Sequence, residues 1–340
     1  MQSKNNTREQ LELKKSYIDS KNLDDVEHFL SVWRNSSNSI NLETSGSTGT
    51  KKTIFAEKKF LSESARMTGE FFRFSSQKRA LVCLPLSFIA GKMMLIRCLE
   101  FNMDAVICEA SKPLNFPDKL DIDFAAMTPY QYEKCLSQNP NKLLKIKTIL
   151  LGGAPITEKL KNRIVATKQE VYHSYGMTET YSHIALKKIT EENSPFETLD
   201  GVFCRQAEDG TLIINARNLG VEELKTNDIV KLFNEKQFDF LGRKDFVVNS
   251  AGIKLHPEEL EKKIAPLLES NNFFFYGLPD ETFGEKLVLF IESDKNITLN
   301  QLNSLLTKYE MPKEVHYIPR FRYTDSGKIN RVLTAKQISN

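Results

Sequence analysis

Between Ala80 and Val171 short apolar strand-like runs alternate with helical stretches, and this alternation constrains the fold more than any other feature of the sequence. ALVCL, DAVIC, FAAM, KTILLG and EVYHS have strand character, while GKMMLIRCLEF and TEKLKNRIVA are helix candidates. Parallel strands need crossover connections, so repeated βα units predict a largely parallel sheet. After Asp200 the strands shorten and turn signals separate them, as in AEDGTLIIN and NEKQFDFLG, which predicts an antiparallel portion. A third texture begins near Lys244. There HPEELEKKIAPLL puts Pro257 at a first helical position with acids in the first turn. FFFYG and KLVLFIE follow as strands, then LNQLNSLLTKY as a helix candidate. The expected architecture is α/β, with a large N-terminal α/β domain (1–243) and a small C-terminal α+β domain (244–340). The two meet at GRKD, residues 242–245.

The 340 residues, 40% hydrophobic and 27% charged, supply ample core for roughly two domains. A net charge of +3 argues against a dedicated nucleic-acid binder. There is no run of about 18 apolar residues, as a membrane span would need. The opening MQSKNNTREQLELKK lacks the apolar centre of a secretory signal. Cys83, Cys98, Cys108, Cys135 and Cys204 form no CxxC pair and sit in apolar contexts, so they read as buried free thiols. The histidines show no ligand spacing. A reduced, cytoplasmic protein without a structural metal is expected.

Residues 44–52 read TSGSTGTKK, between SINLE and TIFAE, two alternating runs that predict a strand–loop–strand hairpin. The spacing does not fit GxxxxGK[ST], and no helix is expected after the loop, which disfavours a Walker-type nucleotide site. Glycines can turn backbone amides toward one anion, hydroxyls add donors, and lysines add charge. From the loop alone, a solvated Ser/Thr/Gly hairpin is the favoured reading.

Further stretches follow in order: LGGAP (151–155), HSYGMTET (173–180), TNDIV (226–230), FLGRKD (240–245), NSAGIKLHPEELE (249–261) and TDSGKINR (324–331). With the glycine-rich loop they resemble the core motifs of the adenylate-forming superfamily of acyl- and aryl-CoA ligases, peptide-synthetase adenylation domains and luciferases. The resemblance spans residues 44–331 and implies ATP, Mg²⁺ and coenzyme A as co-substrates and cofactor. It implies that Thr44, Ser45, Gly46, Ser47, Thr48, Gly49 and Lys52 hold the β- and γ-phosphates, and that Gly152, Gly153 and Ala154 lie along the adenine. In YGMTE, Tyr175 matches the aromatic packed on adenine and is followed by Gly176. Thr178 matches the α-phosphate contact and Glu179 the Mg²⁺ ligand. Asp228 and Arg243 match the ribose-holding pair, and Lys328 the lysine that reaches the α-phosphate and carboxylate. The same resemblance makes Asp245 a hinge for rotation of the C-terminal domain, after which 249–254 would replace Lys328 and Gly252 would make room for the thiol arm. These roles suit the chemistry, because joining a carboxylate to a triphosphate requires positioned cations and a hard-oxygen metal ligand.

LPLSFIAGKMMLIR (84–97), with TETYSHIAL, resembles the o-succinylbenzoate–CoA ligases of menaquinone biosynthesis. That resemblance offers Ser87, Phe88, Lys92, Ser182 and His183 as walls of an acyl slot. Phe88, Met93 and Met94 equally suit a buried helix face, Lys92 can snorkel to the surface, and His183 can be a satisfied core histidine. The chain departs from the family pattern in having 43 residues before the loop, where most relatives carry well over a hundred. This implies a truncated N-terminal domain and leaves room for a homo-oligomer. Lys51 and Thr53 stand where Pro and Gly are usual, TND replaces TGD, PLSF lacks a histidine, and NSAG replaces a Gly-Gly pair. Two other readings stay open: adenylation for a carrier-protein acceptor, and a catalytically silent acyl-AMP or acyl-CoA binding protein. The presence of Thr178, Glu179, Asp228, Arg243 and Lys328 counts against the silent protein.

Overall fold

A computed structural model describes residues 12–43, 53–110, 114–268, 272–294, 301–323 and 329–338. The expected phosphate loop (44–52) and Lys328 lie outside the described residues.

The first part of the chain comprises strands β1 (Lys15–Ile18), β2 (Ser39–Glu43), β3 (Thr53–Glu57), β4 (Arg79–Val82), β5 (Asp104–Ile107), β6 (Ile122–Met127), β7 (Ile146–Leu151) and β8 (Glu170–Met177). Helices α1 (Leu23–Arg34), α2 (Lys58–Phe71), α3 (Ile89–Phe101), α4 (Pro129–Gln138), α5 (Pro140–Leu143) and α6 (Glu158–Thr167) intervene. Strands β1-β5-β4-β6-β7-β8 lie side by side in that order, all parallel. Both faces of β4, β5, β6 and β7 are largely buried, and the two-residue repeat divides them cleanly. Ala80, Val82, Phe124, Ala126 and Leu150 face the core shared with α1, α2 and α3. Leu81, Cys83, Ala125, Met127, Ile149 and Leu151 face the core under α4 and α6. Such strands read as continuous apolar runs because neither face meets water.

Capping fixes where the crossover helices begin. Thr128 and Gln131 form a reciprocal capping box at α4, with Pro129 at its first position. Thr157 caps α6 by accepting from the Leu160 amide at 3.2 Å.

Strands β9 (Ser182–Lys188), β10 (Phe196–Thr198), β11 (Phe203–Gln206), β12 (Thr211–Ala216), β13 (Val221–Asn234) and β14 (Gln237–Arg243) extend the same sheet in the order β8-β9-β10-β14-β13-β12-β11, every pair antiparallel. The antiparallel portion therefore starts at Ser182, ahead of the Asp200 expected from turn signals. A single 3₁₀ turn, Thr178–Thr180, reverses the chain with no α-helix between β8 and β9. SINLE and TIFAE pair antiparallel as the expected hairpin, from Ser39 opposite Glu57 to Glu43 opposite Thr53.

The last part has β15 (Val248–Ser250), β16 (Ile253–Leu255), α7 (Pro257–Ile264), β17 (Phe273–Asp280), β18 (Gly284–Glu292), α8 (Leu302–Leu305), β19 (Glu314–Ile318) and α9 (Arg331–Ala335). Its five strands make a separate, smaller sheet. Alternate residues again feed two cores: Phe275, Leu287, Leu289 and Ile291 on one face, Phe274, Val288 and Phe290 on the other. The helix expected over LNQLNSLLTKY is only four residues long among those described. Its continuation fails because the Thr307 amide is taken by the Glu310 carboxylate at 2.9 Å, and Leu306 is already extended. All five cysteines are free and buried, as expected.

Phe124 lies at the centre of the first core and packs its ring 4.8 Å from Phe74 and 5.0 Å from Phe72. Phe124→Ala should cost about 3–5 kcal/mol in denaturant unfolding followed by tryptophan fluorescence. A loss under about 1 kcal/mol would mean that the site collapses around the cavity.

Candidate functional site

In an open parallel sheet the crevice for ligands lies beyond the carboxyl ends of the strands, where the connectivity switches. Here β8 is the switch, parallel to β7 on one side and antiparallel to β9 on the other. Gly152, Gly153 and Ala154 follow the end of β7. A side chain at Gly152 would collide with Ser174 Oγ, which donates to the Leu151 carbonyl at 3.0 Å, and Gly153 has φ +82°. Thr178, Glu179 and Thr180 form a single turn after the end of β8. Thr180 is buried and its hydroxyl lies 2.7 Å from the Ser182 carbonyl, whereas Glu179 is exposed. Gly176 is required by close approach, since a Cβ there would meet the Ser182 carbonyl and His183 Cα. Tyr181 (φ 58°) and Ser182 (φ 153°) are consecutive non-glycine residues in the positive region, so the turn holds backbone strain beside the candidate site.

Sheet register brings together three of the expected residues. Asp228 on β13 pairs with Arg243 at the end of β14. The Tyr175 hydroxyl donates to Asp228 Oδ2 at 2.6 Å, Arg243 Nη1 lies 3.3 Å from Oδ1, and the Asp228 amide donates to Thr226 Oγ1 at 3.1 Å. Arg243 Nη2 also donates to Asp245 at 2.6 Å, so one guanidinium joins the ribose candidate to the hinge candidate. Burial pulls the Arg243 guanidinium down, but the carboxylates of Asp245 and Asp228 outweigh it and leave its pKa raised. Burial and the Asp228 charge push the Tyr175 phenol well above its usual range. The Tyr175 ring is only 9% exposed and packs edge-on against Phe238 at 5.0 Å, so it is a buried support that aims Asp228.

The acyl-wall candidates are divided. Ser182 and His183 sit together, joined by a residue absent from the sequence expectations, Arg97 of α3. Its Nη2 donates to Ser182 Oγ at 3.1 Å and lies 3.4 Å from His183 Nδ1, while His183 Nε2 lies 3.2 Å from the Thr68 hydroxyl. Arg97 is 2% exposed, its Nε is buried without a partner among the described residues, and burial lowers its pKa to about 10. The signal was available, because Arg97 is the one charged residue of the stretch MMLIRCL (93–99) in α3, and a buried arginine there needs either a partner or a ligand. Ser87 and Phe88 precede α3, and the Lys92 ammonium lies 3.3 Å from the Ser87 carbonyl. Met93 and Met94 are buried core. In the C-terminal sheet Ala251 (φ 50°) and Gly252 (φ 81°) form the two-residue turn between β15 and β16, with open space around Gly252.

Burial, then the Arg97 charge, holds His183 well below its usual pKa, and burial brings His173 down to about 4. Both are neutral when folded and free to protonate when unfolded. Stability fully present above about pH 6.5 is therefore lost as pH falls toward their folded pKa values. Urea unfolding from pH 7 to pH 5 should fall more steeply for the wild type than for His183→Gln, by up to about 1.4 kcal/mol per pH unit. Parallel curves would mean that His183 is already charged in the fold.

The chain is similar to an AMP-forming acyl-CoA synthetase/AMP-acid ligase II-like protein of Dyadobacter fermentans, at 32% identity and TM-score 0.63, over 95% of this chain and 96% of that one. It shares its fold with the o-succinylbenzoate coenzyme A synthetase of Bacillus subtilis, solved in complex with ATP and magnesium ion, at 20% identity and TM-score 0.76 over 95% of this chain and 78% of that one. The 2-succinylbenzoate–CoA ligase of Bacillus pumilus is 25% identical over 85% of this chain and 66% of its own length. That of Haemophilus influenzae is 25% identical over 77% and 61%. The chain thus spans about two thirds of the length of the curated relatives it matches. The sequence pattern of the AMP-binding enzymes matches residues 32–202, half of the chain, and the chain belongs to the AMP-binding enzyme family.

Proposed function

We propose that the chain is an ATP-dependent acid–CoA ligase working through an acyl-adenylate, with 2-succinylbenzoate as its acid. Arg97 carries the choice of acid. Its guanidinium is buried against Ser182 and His183, and among the described residues no carboxylate faces it. A buried cation without a counter-ion is costly. An acid bearing a second carboxylate, the one that is not activated, would complete the pair. The likeness to 2-succinylbenzoate–CoA ligases supports the same acid.

Asp228 supplies acceptors for the ribose hydroxyls, and Arg243, with a buried and unpartnered Nε, braces it. Gly152, Gly153 and Ala154 offer a flat edge to the base, and Thr178 a hydroxyl to the α-phosphate. Glu179 suits magnesium as a single exposed hard-oxygen donor. No group of three or more His, Cys, Asp or Glu among the described residues could hold a metal alone, which fits an ion shared with phosphates and water. Magnesium, when bound, offsets the charge of the triphosphate. The 44–52 loop takes the β- and γ-phosphates, and Lys328 holds the carboxylate and α-phosphate together. The carboxylate oxygen bonds to the α-phosphorus and the bond to pyrophosphate breaks. Rotation about Asp245 then exchanges Lys328 for the 249–254 turn. The thiolate of CoA attacks the mixed-anhydride carbonyl, and AMP leaves with the bonding electron pair.

With ATP, Mg²⁺ and CoA, pyrophosphate release should be greatest on 2-succinylbenzoate among a panel of acids. Arg97→Met should raise the KM for that acid by about 10- to 100-fold, as expected for a lost charge-assisted pair, and affect benzoate far less. Preference for another acid, unmoved by Arg97→Met, would discard 2-succinylbenzoate and keep the ligase. Silence on every acid would discard the ligase. Lys328→Ala should cripple acyl-AMP formation while thioester formation from supplied acyl-AMP stays largely intact; equal loss in both would contradict the exchange of Lys328 for the 249–254 turn.

A further inference from the structure

Arg331 begins α9, three residues beyond Lys328, and it is among the most heavily tied side chains of the C-terminal part. Glu261 of α7 receives it bidentately, Oε1 at 2.8 Å from Nη1 and Oε2 at 2.9 Å from Nη2. Nη1 also donates to the Phe275 carbonyl at 3.3 Å. The guanidinium stacks 4.8 Å from the centre of the Phe246 ring, which belongs to the turn Lys244–Phe246, and 5.6 Å from that of Phe274. Its side chain is 14% exposed.

One helical turn before Glu261, Glu258 carries the connection across to β14. Its Oε1 lies 3.9 Å from Arg331 and 3.4 Å from the Arg243 amide, while Oε2 is buried and unpartnered against Gly242. The neighbouring backbone is fixed as well. Ile329 bridges to Tyr323, the Asn330 amide donates to the Arg322 carbonyl at 2.8 Å, and the Asn330 side chain caps α9. An ordinary surface arginine at the head of a five-residue helix would need none of this. The arrangement joins two places far apart in sequence, the end of β14 with its following turn and the chain immediately after Lys328.

We propose that Arg331 is a positioning residue for acyl-adenylate formation: clamped by Glu261 and stacked on Phe246, it registers the chain that carries Lys328 against the hinge. This rests on the role given to Lys328 above. Lysine cannot reproduce a bidentate, stacked guanidinium, so Arg331→Lys removes the registration while keeping the charge.

Two half-reactions are measured in the full-length chain, acyl-AMP formation from ATP and acid, and thioester formation from supplied acyl-AMP and CoA. Arg331→Lys should lower kcat for the first by about tenfold or more, with the KM for ATP and the whole second half-reaction changed less than about twofold. In the Lys328→Ala background Arg331→Lys should remove nothing further, because residues acting as a unit are not additive. Glu261→Gln should give the same two results and replaces Arg331→Lys if that variant does not fold. Equal loss in both half-reactions, or an additive loss on top of Lys328→Ala, would make the cluster purely structural. If Lys328→Ala alone left acyl-AMP formation unchanged, the reading of Lys328 would fail first and this proposal with it.

Discussion

Everything at the candidate site depends on β8 pairing in two senses at once. Its parallel partner β7 leads into Gly152 and Gly153, the second with open space around it, and its antiparallel partner β9 returns at once, without a crossover helix. The price of that immediate return is backbone strain at Tyr181 and Ser182 and an obligatory glycine at 176. In exchange, Tyr175 is drawn inward to hold Asp228, and the turn carrying Thr178 and Glu179 projects from the strand end. A sheet of one sense throughout would not place these groups on a common edge.

Polar groups buried in this region hold one another. Asp228 meets a phenol, a guanidinium and, through its own amide, a threonine hydroxyl. Arg97 differs, because its hydroxyl and imidazole neighbours supply dipoles and, among the described residues, no compensating charge. In the proposed function, that contrast separates a pair completed by the fold from one left to a ligand, and it gives the proposed nucleotide end and the proposed acyl end different electrostatic characters.

The parallel half was legible because strands buried on both faces read as unbroken apolar runs, as in FAAM and KTILLG. The hairpin was legible because SINLE and TIFAE alternate. Helices α1, α2 and α4 were not foreseen, although α1 carries an apolar stripe of Val26, Phe29, Leu30 and Trp33 and α2 buries Leu61 and Ala65 among polar neighbours; α4 is recognisable mainly from its Thr128–Gln131 cap. The helix expected near Leu302 failed for a reason no periodicity reveals, an amide taken by a side chain. At the site, ordered motifs pointed to Asp228, Arg243 and Tyr175 as residues. Sheet register and burial were needed to show that Tyr175 supports Asp228. The apolar stretch around Arg97 marks it as a residue in need of a partner, but which groups it meets, Ser182 and His183, is fixed only by the fold.

The burial of the cysteines has a chemical corollary for the proposed ligase. An activated acyl carbonyl is open to any nearby thiolate, and a protein thiol that captured it would end as a dead thioester. Here burial pushes Cys98, Cys108 and Cys204 up to about 12 and holds Cys83 well above its usual range. The sheet therefore does more than bury apolar sulfur: by denying its own thiols both water and ionisation, the fold leaves an incoming thiol without an internal rival.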